Sequence, residues 1–266
     1  MLKINNLTKI FDSGGVNEKI ALENVKLELE QGDFVTVIGG NGAGKSTLLN
    51  VIAGVDEYQP NNGTVFIDKE EVNKKNENQR AKYIGRVFQD PLKGTSGSMT
   101  ILENLALAKR RGKKFGLSFI THKKEKDDVI KRLKILGLGL ENRINVDVRL
   151  LSGGQRQALT LLMATIKKPS LLLLDEHTAA LDPKTANKVL EITDKIVKKE
   201  NITTLMVTHN MKDALKYGNR LIMMHEGKII LDIHEEEKKN LEVKDLLALF
   251  EESSGSHLDN DRMLLG

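Results

Sequence analysis

Cysteine is absent from this sequence. Its absence excludes a disulfide framework, a thiolate metal site and a cysteine nucleophile, and it fits a reducing compartment. Long apolar runs are also absent, since none approaches the ~18–20 residues of a membrane-spanning helix. If the protein works at a membrane, we expect another chain to supply the span. The opening segment, MLKINNLTKIF, lacks the apolar core and the cleavage site of a secretory signal.

The charge of the chain is close to balanced. Its 41 basic and 37 acidic residues leave a net charge of +4, far from that of a histone-like cation. A small basic excess suits an anionic ligand or the negatively charged cytoplasmic leaflet of a membrane. The 266 residues, 39% hydrophobic and 29% charged, are typical of a soluble globular protein with one large domain or two modest ones.

Short apolar runs alternate with helical patterns along much of the chain. The runs that predict strands are Leu2–Ile4, Val25–Leu29, Asp33–Ile38, Thr64–Ile67, Ile84–Phe88, Ser170–Leu174, Thr203–Val207 and Arg220–Met224. Helical spacing is found over Ser46–Ala53, Lys184–Lys199 and Leu241–Glu251. This alternation favours an α/β core with a mostly parallel sheet.

One stretch interrupts the alternation. From about Asp90 to Lys168 the sequence is helical in pattern and strongly charged, with several glycines. We therefore predict an α/β core over residues 1–89 and 169–240, a helical subdomain over 90–168, and a C-terminal helix with a polar tail over 241–266.

A glycine-rich segment follows the predicted strand that ends at Ile38. It matches the P-loop consensus G-x-x-x-x-G-K-[ST] at every fixed position, with Gly39, Gly40, Asn41, Gly42, Ala43, Gly44, Lys45 and Ser46, and Thr47 follows in the helix. Glycines allow successive N–H groups to surround a phosphate, and the helix start adds its positive end. Lys45 is then expected to reach the β- and γ-phosphates and Ser46 to meet Mg²⁺. The alternative is a glycine turn without a ligand, and kinases, GTPases and motors all share the motif.

Two carboxylates, Asp175 and Glu176, end the apolar strand Ser170–Leu174. An ionised carboxylate at the end of a buried strand needs a cation or hydrogen-bond donors to offset desolvation. Asp175 is thus a candidate Mg²⁺ ligand, and Glu176 a candidate to polarise an attacking water. Taken without the P-loop, the pair would be read as an acidic strand end at the surface.

The segment Leu151-Ser152-Gly153-Gly154-Gln155 precedes a long helical pattern. Ser152 is a favourable N-cap, so the segment can be read as no more than a capped helix. It can also be read as a second anion site at a helix N-terminus. Two phosphate-binding segments in one chain raise the possibility that the second serves the nucleotide of another protomer.

These motifs together resemble the ATP-binding subunit of an ATP-binding cassette transporter, over roughly residues 2–231. LSGGQ is that family's signature, Gln89 resembles the glutamine of its Q-loop, and Ala180-Leu181-Asp182 resembles its D-loop. His209 resembles its switch histidine, and Phe11 lies where the family has an adenine-stacking aromatic. Without the other motifs, Phe11 could equally be interpreted as a core aromatic. His209 would then be interpreted as a loop or core histidine. The resemblance implies a P-loop NTPase fold, with a RecA-like sheet, helices, additional N-terminal antiparallel strands and an inserted helical subdomain.

The resemblance also implies a mechanism with named residues. Two copies are expected to enclose ATP and Mg²⁺ between the P-loop of one and the Ser152–Gln155 segment and Asp182 of the other. The implied catalytic residues are Glu176, His209, Lys45 and Gln89, and the implied metal-contacting residues are Ser46, Gln89 and Asp175. The family's partners are integral-membrane permease subunits at the cytoplasmic face of the membrane and, for importers, an extracytoplasmic substrate-binding protein.

Several features bear on the direction of transport and on the cargo. Residues 98–105 resemble those of bacterial importers, and the acidic-glycine stretch of many exporters is not evident before the signature. The run DEHTAALDP resembles a bacterial subgroup of amino-acid uptake ATPases. Two positions depart from the family: Gly40 and His177 each replace a common proline. His177 is read either as a pH sensor or as a substitution at a turn, and the latter is preferred.

Other functions stay open on the sequence alone. Soluble cassette ATPases act in DNA repair, translation and cofactor assembly. Only the cofactor-assembly type is also short and single, and an ordinary P-loop kinase leaves the signature unexplained. Basic clusters at residues 109–114 and 123–126 are read as a solvated face or as proximity to anionic lipid. Nucleic acid ranks last because aromatics are not interleaved with these charges.

Overall fold

The computed structural model describes residues 1–112 and 123–255, which form two β-sheets with surrounding helices. The strands are β1 Leu2–Phe11, β2 Lys19–Leu29, β3 Phe34–Gly39, β4 Asn62–Ile67, β5 Glu70–Glu71, β6 Ile84–Val87, β7 Leu171–Asp175, β8 Thr203–Val207, β9 Arg220–His225 and β10 Lys228–His234. The α-helices are α1 Lys45–Ala53, α2 Glu77–Arg80, α3 Ile101–Lys109, α4 Lys123–Leu136, α5 Gly153–Thr165, α6 Pro183–Glu200, α7 Met211–Lys216, α8 Glu235–Lys238 and α9 Val243–Ser254.

The larger sheet has six strands in the order β10-β9-β3-β8-β7-β6. All neighbours are parallel except β9 and β10, which form an antiparallel hairpin. Continuous apolar strands suit this sheet because both of its faces are covered; Leu171–Leu174, for example, are fully buried. The order places β3, β8, β7 and β6 side by side, so their carboxyl ends meet along one edge.

The smaller sheet is antiparallel, in the order β2-β1-β4-β5. In β2, Val25, Leu27 and Leu29 are buried whereas Lys26 and Glu28 are exposed, as the alternating sequence predicts. The buried face packs with α1 and one face of the larger sheet into a single apolar cluster. The predicted α/β fold with N-terminal antiparallel strands is therefore confirmed.

Helices α3, α4 and α5 lie in the chain between β6 and β7, within the segment predicted to be helical. Their apolar residues, among them Ile101, Leu133 and Leu161, form one cluster with Leu172 and Leu174 of β7. The helical segment thus packs on the second face of the larger sheet. Its treatment as a separate subdomain with limits at 90 and 168 stays a prediction.

Most predicted elements are present with shifted ends. β6 ends at Val87, one residue before the prediction, because the carbonyl oxygen of Phe88 accepts a hydrogen bond from the Gln157 side chain of α5 instead of continuing the sheet. The predicted C-terminal helix runs over Val243–Ser254, where Phe250 packs on the ring of His225.

Some predictions lie outside the described residues. They are the end of the polar tail, residues 256–266, and part of both basic clusters, namely Lys113, Lys114 and the side chains of Lys123 and Lys124. Among the residues that the structure does describe, no helix combines the length and apolar character needed to cross a bilayer.

Candidate nucleotide site

The glycine-rich loop joins β3 to α1. Gly39 and Gly44 have φ values of 148° and 100°, which favour glycine. A Cβ at Gly39 would lie 2.2 Å from the Met224 carbonyl oxygen, and one at Gly44 would lie 2.6 Å from that of Ala21. Gly44 is the N-cap of α1, and no side chain caps it. The first amides of α1 are therefore not used by a capping side chain, as an anion site requires.

Lys45 is buried beneath this loop. Its Nζ donates hydrogen bonds to the carbonyl oxygens of Gly39, at 2.8 Å, and Gly40, at 3.0 Å. Burial lowers the pKa of the Lys45 ammonium, and the charges of Glu176 and Asp175 partly oppose that effect. The structure thus holds a desolvated cation beside the open helix start, where its attraction to phosphate is stronger than at an exposed site.

Asp175 lies at the end of β7, against the start of α1. Its Oδ1 accepts a hydrogen bond from Ser46 Oγ at 3.4 Å, and its Oδ2 lies 3.7 Å from Nη2 of Arg86. Burial raises the pKa of the Asp175 carboxyl, and the nearby Arg86 charge opposes that shift. A hydroxyl and a desolvated carboxylate form an oxygen donor set that suits Mg²⁺, which usually binds one or two carboxylates together with phosphate and water.

Glu176 and His209 form a close pair at the ends of β7 and β8. Glu176 Oε1 and His209 Nε2 are 2.5 Å apart. Burial raises the pKa of the Glu176 carboxyl, but the hydrogen bond with His209 and the charges of His209 and Lys45 lower it below its usual value. The carboxylate is therefore ionised and available as a proton acceptor at neutral pH.

A cavity over the loop collects most of the residues that the sequence predicts for the site. Its lining comprises Phe11, Lys19, Ala21, Asn41, Gly42, Ala43, Gly44, Lys45, Ser46, Thr47, Gln89, Glu176 and His209. Phe11 lies at its rim in an edge-on contact with Tyr58, with ring centroids 5.4 Å apart. A second cavity adjoins the first at Gln89, Glu176 and His209, and it extends past Leu181 to the start of α6.

The predicted residues of the signature and Asp182 lie apart from this cavity. Among the described residues that line the cavity over the loop, none comes from Ser152–Gln155, and Asp182 is also absent from the lining. Ser152 caps α5 by accepting a hydrogen bond from the Gln155 amide, and the Gln155 side chain accepts one from the Ser152 amide. Asp182 is the N-cap of α6, through the Thr185 amide.

The charged residues Lys19 and Arg86 lie near the nucleotide site, and the sequence analysis did not identify them. Lys19 lines the cavity because it pairs with Phe11 across the β1–β2 hairpin. Arg86 contacts Asp175 from the neighbouring strand β6. The only sequence signal for Arg86 is a charge within an apolar run. Lys19 has no sequence signal, because its pairing with Phe11 across a loop of seven residues is set by the folded hairpin.

Comparison with known proteins agrees with this geometry. A family profile described as "ABC transporter" matches residues 22–179. The chain is 47% identical to a tyrosine transport ATP-binding protein of Clostridioides difficile, over 94% of this chain and 99% of that protein. It is 34% identical to methionine import ATP-binding protein MetN 2 of Bacillus cereus, over 86% of this chain and 65% of that protein.

Solved structures give the same result. The fold matches the ATP-binding cassette MJ0796 in a dimeric post-hydrolysis state bound to ADP and Pi, with a TM-score of 0.75, 31% sequence identity, and coverage of 88% of this chain and 99% of that one. The ADP conformation of MJ1267, a cassette of an ABC transporter, matches with a TM-score of 0.75 at 29% identity, over 94% and 98% of the two chains. The chain therefore belongs to the ABC transporter family and is an ATP-binding, ATP-hydrolysing cassette subunit.

Proposed function

We propose that this subunit powers the import of an amino acid through separate membrane-spanning permease subunits, at the cytoplasmic face of the membrane. The observation that carries the proposal is the 47% identity to a tyrosine transport ATP-binding protein, which extends over nearly the whole of both chains. A methionine import ATP-binding protein is a more distant relative of the same broad type. An extracytoplasmic substrate-binding protein would complete such an importer.

We further propose roles for the residues around the cavity. Lys45 and the amides of the loop bind the β- and γ-phosphates, and Phe11 stacks on the base. Ser46 and Asp175, with Gln89 beside them, hold Mg²⁺, which supplies charge neutralisation on the phosphates when bound. Glu176 accepts a proton from the attacking water, and His209, hydrogen-bonded to it, orients that carboxylate and contacts the γ-phosphate.

We propose that the active form is a dimer of two such chains closed around ATP. The donors at the start of α5 do not line the chain's own loop cavity, which supports their use by a second copy. The adjoining cavity is lined by Glu176 and His209 and reaches Leu181 and Pro183, so a partner that covers this surface would enclose the γ-phosphate side. The related cassette MJ0796 is described as dimeric.

Purification from solubilised membranes tests the transport function. We expect a tagged chain to co-purify with integral-membrane subunits, identified by mass spectrometry, and with a binding protein that carries an amino acid. A matched pair of surface variants sharpens the result. Leu92→Asp, at an exposed leucine three residues after Gln89, should lose the membrane partners, whereas Val16→Asp in the exposed β1–β2 turn should keep them. Co-purification with soluble assembly proteins alone would favour a cofactor-assembly ATPase.

The Glu176→Gln variant tests the catalytic part of the proposal. Loss of a general base lowers turnover by about 10²–10⁴-fold, while the P-loop still binds ATP. We therefore expect an ATP-dependent dimer that persists in size-exclusion chromatography. The double variant Lys45→Ala/Glu176→Gln is the control, and it should stay monomeric. Wild-type turnover by Glu176→Gln would show that another group activates the water.

A further inference from the structure

The turn that follows β7 holds Glu176 in an unusual backbone conformation. Its φ of 47° lies in the left-handed region, which a residue with a side chain occupies only when the surroundings enforce it. The Glu176 amide donates to the Val207 carbonyl oxygen at 3.1 Å, and its carbonyl accepts from the Ala179 amide at 3.0 Å. These two bonds close the turn against β8 and against itself. Neither of these bonds connects the turn to the middle of helix α6.

His177, the next residue, makes that connection. The residue is 2% exposed, and it is not among the residues that line the cavity beside Glu176. Nε2 of His177 lies 3.2 Å from Oγ1 of Thr193, in the middle of α6. Both side chains are buried, so the contact is shielded from water and from competing partners.

The direction of this hydrogen bond follows from the threonine. Thr193 Oγ1 donates its single proton to the Val189 carbonyl oxygen at 2.9 Å. It can therefore only accept from His177, so the imidazole carries its proton on Nε2. Burial lowers the pKa of His177 to about 4, which keeps the ring neutral at physiological pH.

Helix α6 is a rigid anchor for such a bond. One face of the helix is buried on both sides of Thr193, through Val189, Leu190, Ile196 and Val197. A bond to this position fixes His177 relative to the sheet, and Glu176 directly precedes it in the chain.

We infer that His177 is a positioning residue for ATP hydrolysis: its hydrogen bond to Thr193 holds the adjoining turn so that the Glu176 carboxylate stays at its place beside His209. This inference rests on the proposed role of Glu176 as the group that activates water. His177 lines neither cavity, and its side-chain hydrogen bond is to Thr193 and not to His209. It acts through backbone geometry, and replacing it affects the catalytic step more than the binding of nucleotide.

The test compares four variants of the full chain: His177→Ala, Thr193→Val, the double variant, and His177→Gln. Steady-state ATPase assays give kcat and KM, a fluorescent ATP analogue gives nucleotide affinity, and thermal unfolding reports stability. We expect His177→Ala to lower kcat about ten- to a hundredfold at nearly unchanged ATP affinity, because displacement of a reacting group by about 1 Å costs rate on that scale. Thr193→Val keeps the side-chain volume, and it should lower kcat in the same direction.

Two further results are specific to a shared hydrogen bond. The double variant should be no slower than His177→Ala alone, because residues that act as a unit are not additive. His177→Gln retains an N–H donor for Thr193 and should recover most of the lost kcat. The matched control is Thr165→Val, a buried helical threonine whose hydroxyl donates to the Leu161 carbonyl oxygen at 2.8 Å with no histidine partner. It should lower stability only.

The outcomes separate this inference from the function on which it rests. If Glu176→Gln keeps the wild-type rate, the proposed role of Glu176 is wrong. If Glu176→Gln abolishes turnover whereas folded Thr193→Val and His177→Ala retain the wild-type kcat, the positioning role alone is wrong. A parallel fall in ATP affinity, stability and kcat, which His177→Gln fails to reverse, would assign His177 a purely structural role. Should His177→Ala not fold, Thr193→Val and His177→Gln still decide the matter.

Discussion

Two helices of this chain begin within glycine-rich segments, α1 within the P-loop and α5 within the signature, yet the two starts are built differently. The N-cap of α1 is Gly44, in a left-handed conformation, and no side chain caps it. The N-cap of α5 is Ser152, in an extended conformation, and a reciprocal capping box with Gln155 satisfies two backbone amides. At the start of α1 no side chain occupies the backbone donors, whereas at the start of α5 two backbone amides are hydrogen-bonded to the side chains of the capping box.

The cations near the two starts differ as well. Lys45, the first residue of α1, directs a buried ammonium at the glycine loop. The first residue of α5 is the uncharged Gly153, and the nearby cation Arg156 donates to the carbonyl oxygens of Arg149 and Leu151. The first start can therefore bind a polyphosphate within one chain. The second start fits the proposal that it adds donors to a phosphate bound by another chain.

The strongest way to break this comparison is Lys45→Ala. Removing the ammonium leaves the glycine loop and the helix start in place but deletes charge-assisted hydrogen bonds to the phosphates. We expect ATP affinity to fall by about 3 kcal/mol, roughly a hundredfold. Titration with a fluorescent ATP analogue measures the loss, and thermal unfolding checks the fold. An affinity within a factor of a few of wild type would mean that the amides alone bind the nucleotide.

A smaller effect is expected from Phe11→Ala, which tests whether the adenine base binds at the rim of the cavity over the P-loop. Stacking of a base on an aromatic ring contributes about 1–3 kcal/mol, so ATP affinity should fall by that amount without being abolished. Phe11→Tyr preserves the ring and serves as the control in the same titration. Equal affinities for the alanine and tyrosine variants would return Phe11 to the alternative of a core aromatic.

The smallest expected change in nucleotide binding belongs to Ser152. Ser152→Ala removes the N-cap and should lower the free energy of unfolding by about 1 kcal/mol. Ser152→Gly should lower it by only about a few tenths of a kcal/mol. Both variants lack the hydroxyl, and both should bind ATP as a lone chain with wild-type affinity.

Turnover then separates the two roles of the serine. If the hydroxyl serves a nucleotide in the dimer, alanine and glycine should lower kcat alike despite their different stabilities. If kcat instead falls more for Ser152→Ala than for Ser152→Gly, in proportion to stability, the signature serves only as the capped start of a helix.

The local sequence predicted those features that depend on residues adjacent in the chain. The P-loop follows from glycine conformations and the adjacent strand and helix, and the limits of α1 are correct within a residue of the prediction. Elements with weak local patterns were missed, among them β5, α8 and the hairpin strand β10. β5 and α8 have only two and four residues, and β10 is paired with β9 alone, so these elements depend on packing and pairing more than on intrinsic preference.

Side-chain contacts across the site could not be predicted in the same way. Ser46 and Asp175 are 129 positions apart and meet only because β3, β8 and β7 lie side by side. The partner of Asp175 on the other side, Arg86, depends on β6 joining the sheet beside β7. The sequence analysis took His177 as a substitution at a turn, because its partner Thr193 belongs to a helix whose register against β7 no local pattern specifies.

The amino-acid sequence by itself thus determined the family, the phosphate loop and the identity of the charged groups, because these reside in short segments whose chemistry depends on adjacent residues. Tertiary structure alone decided which of those groups meet. The order of parallel strands placed Asp175 beside Ser46 and Glu176 beside His209, and it separated the start of α5 from the chain's own loop cavity. The physical reason is that strand order and helix register depend on burial of apolar surface across the whole fold, which is a non-local quantity.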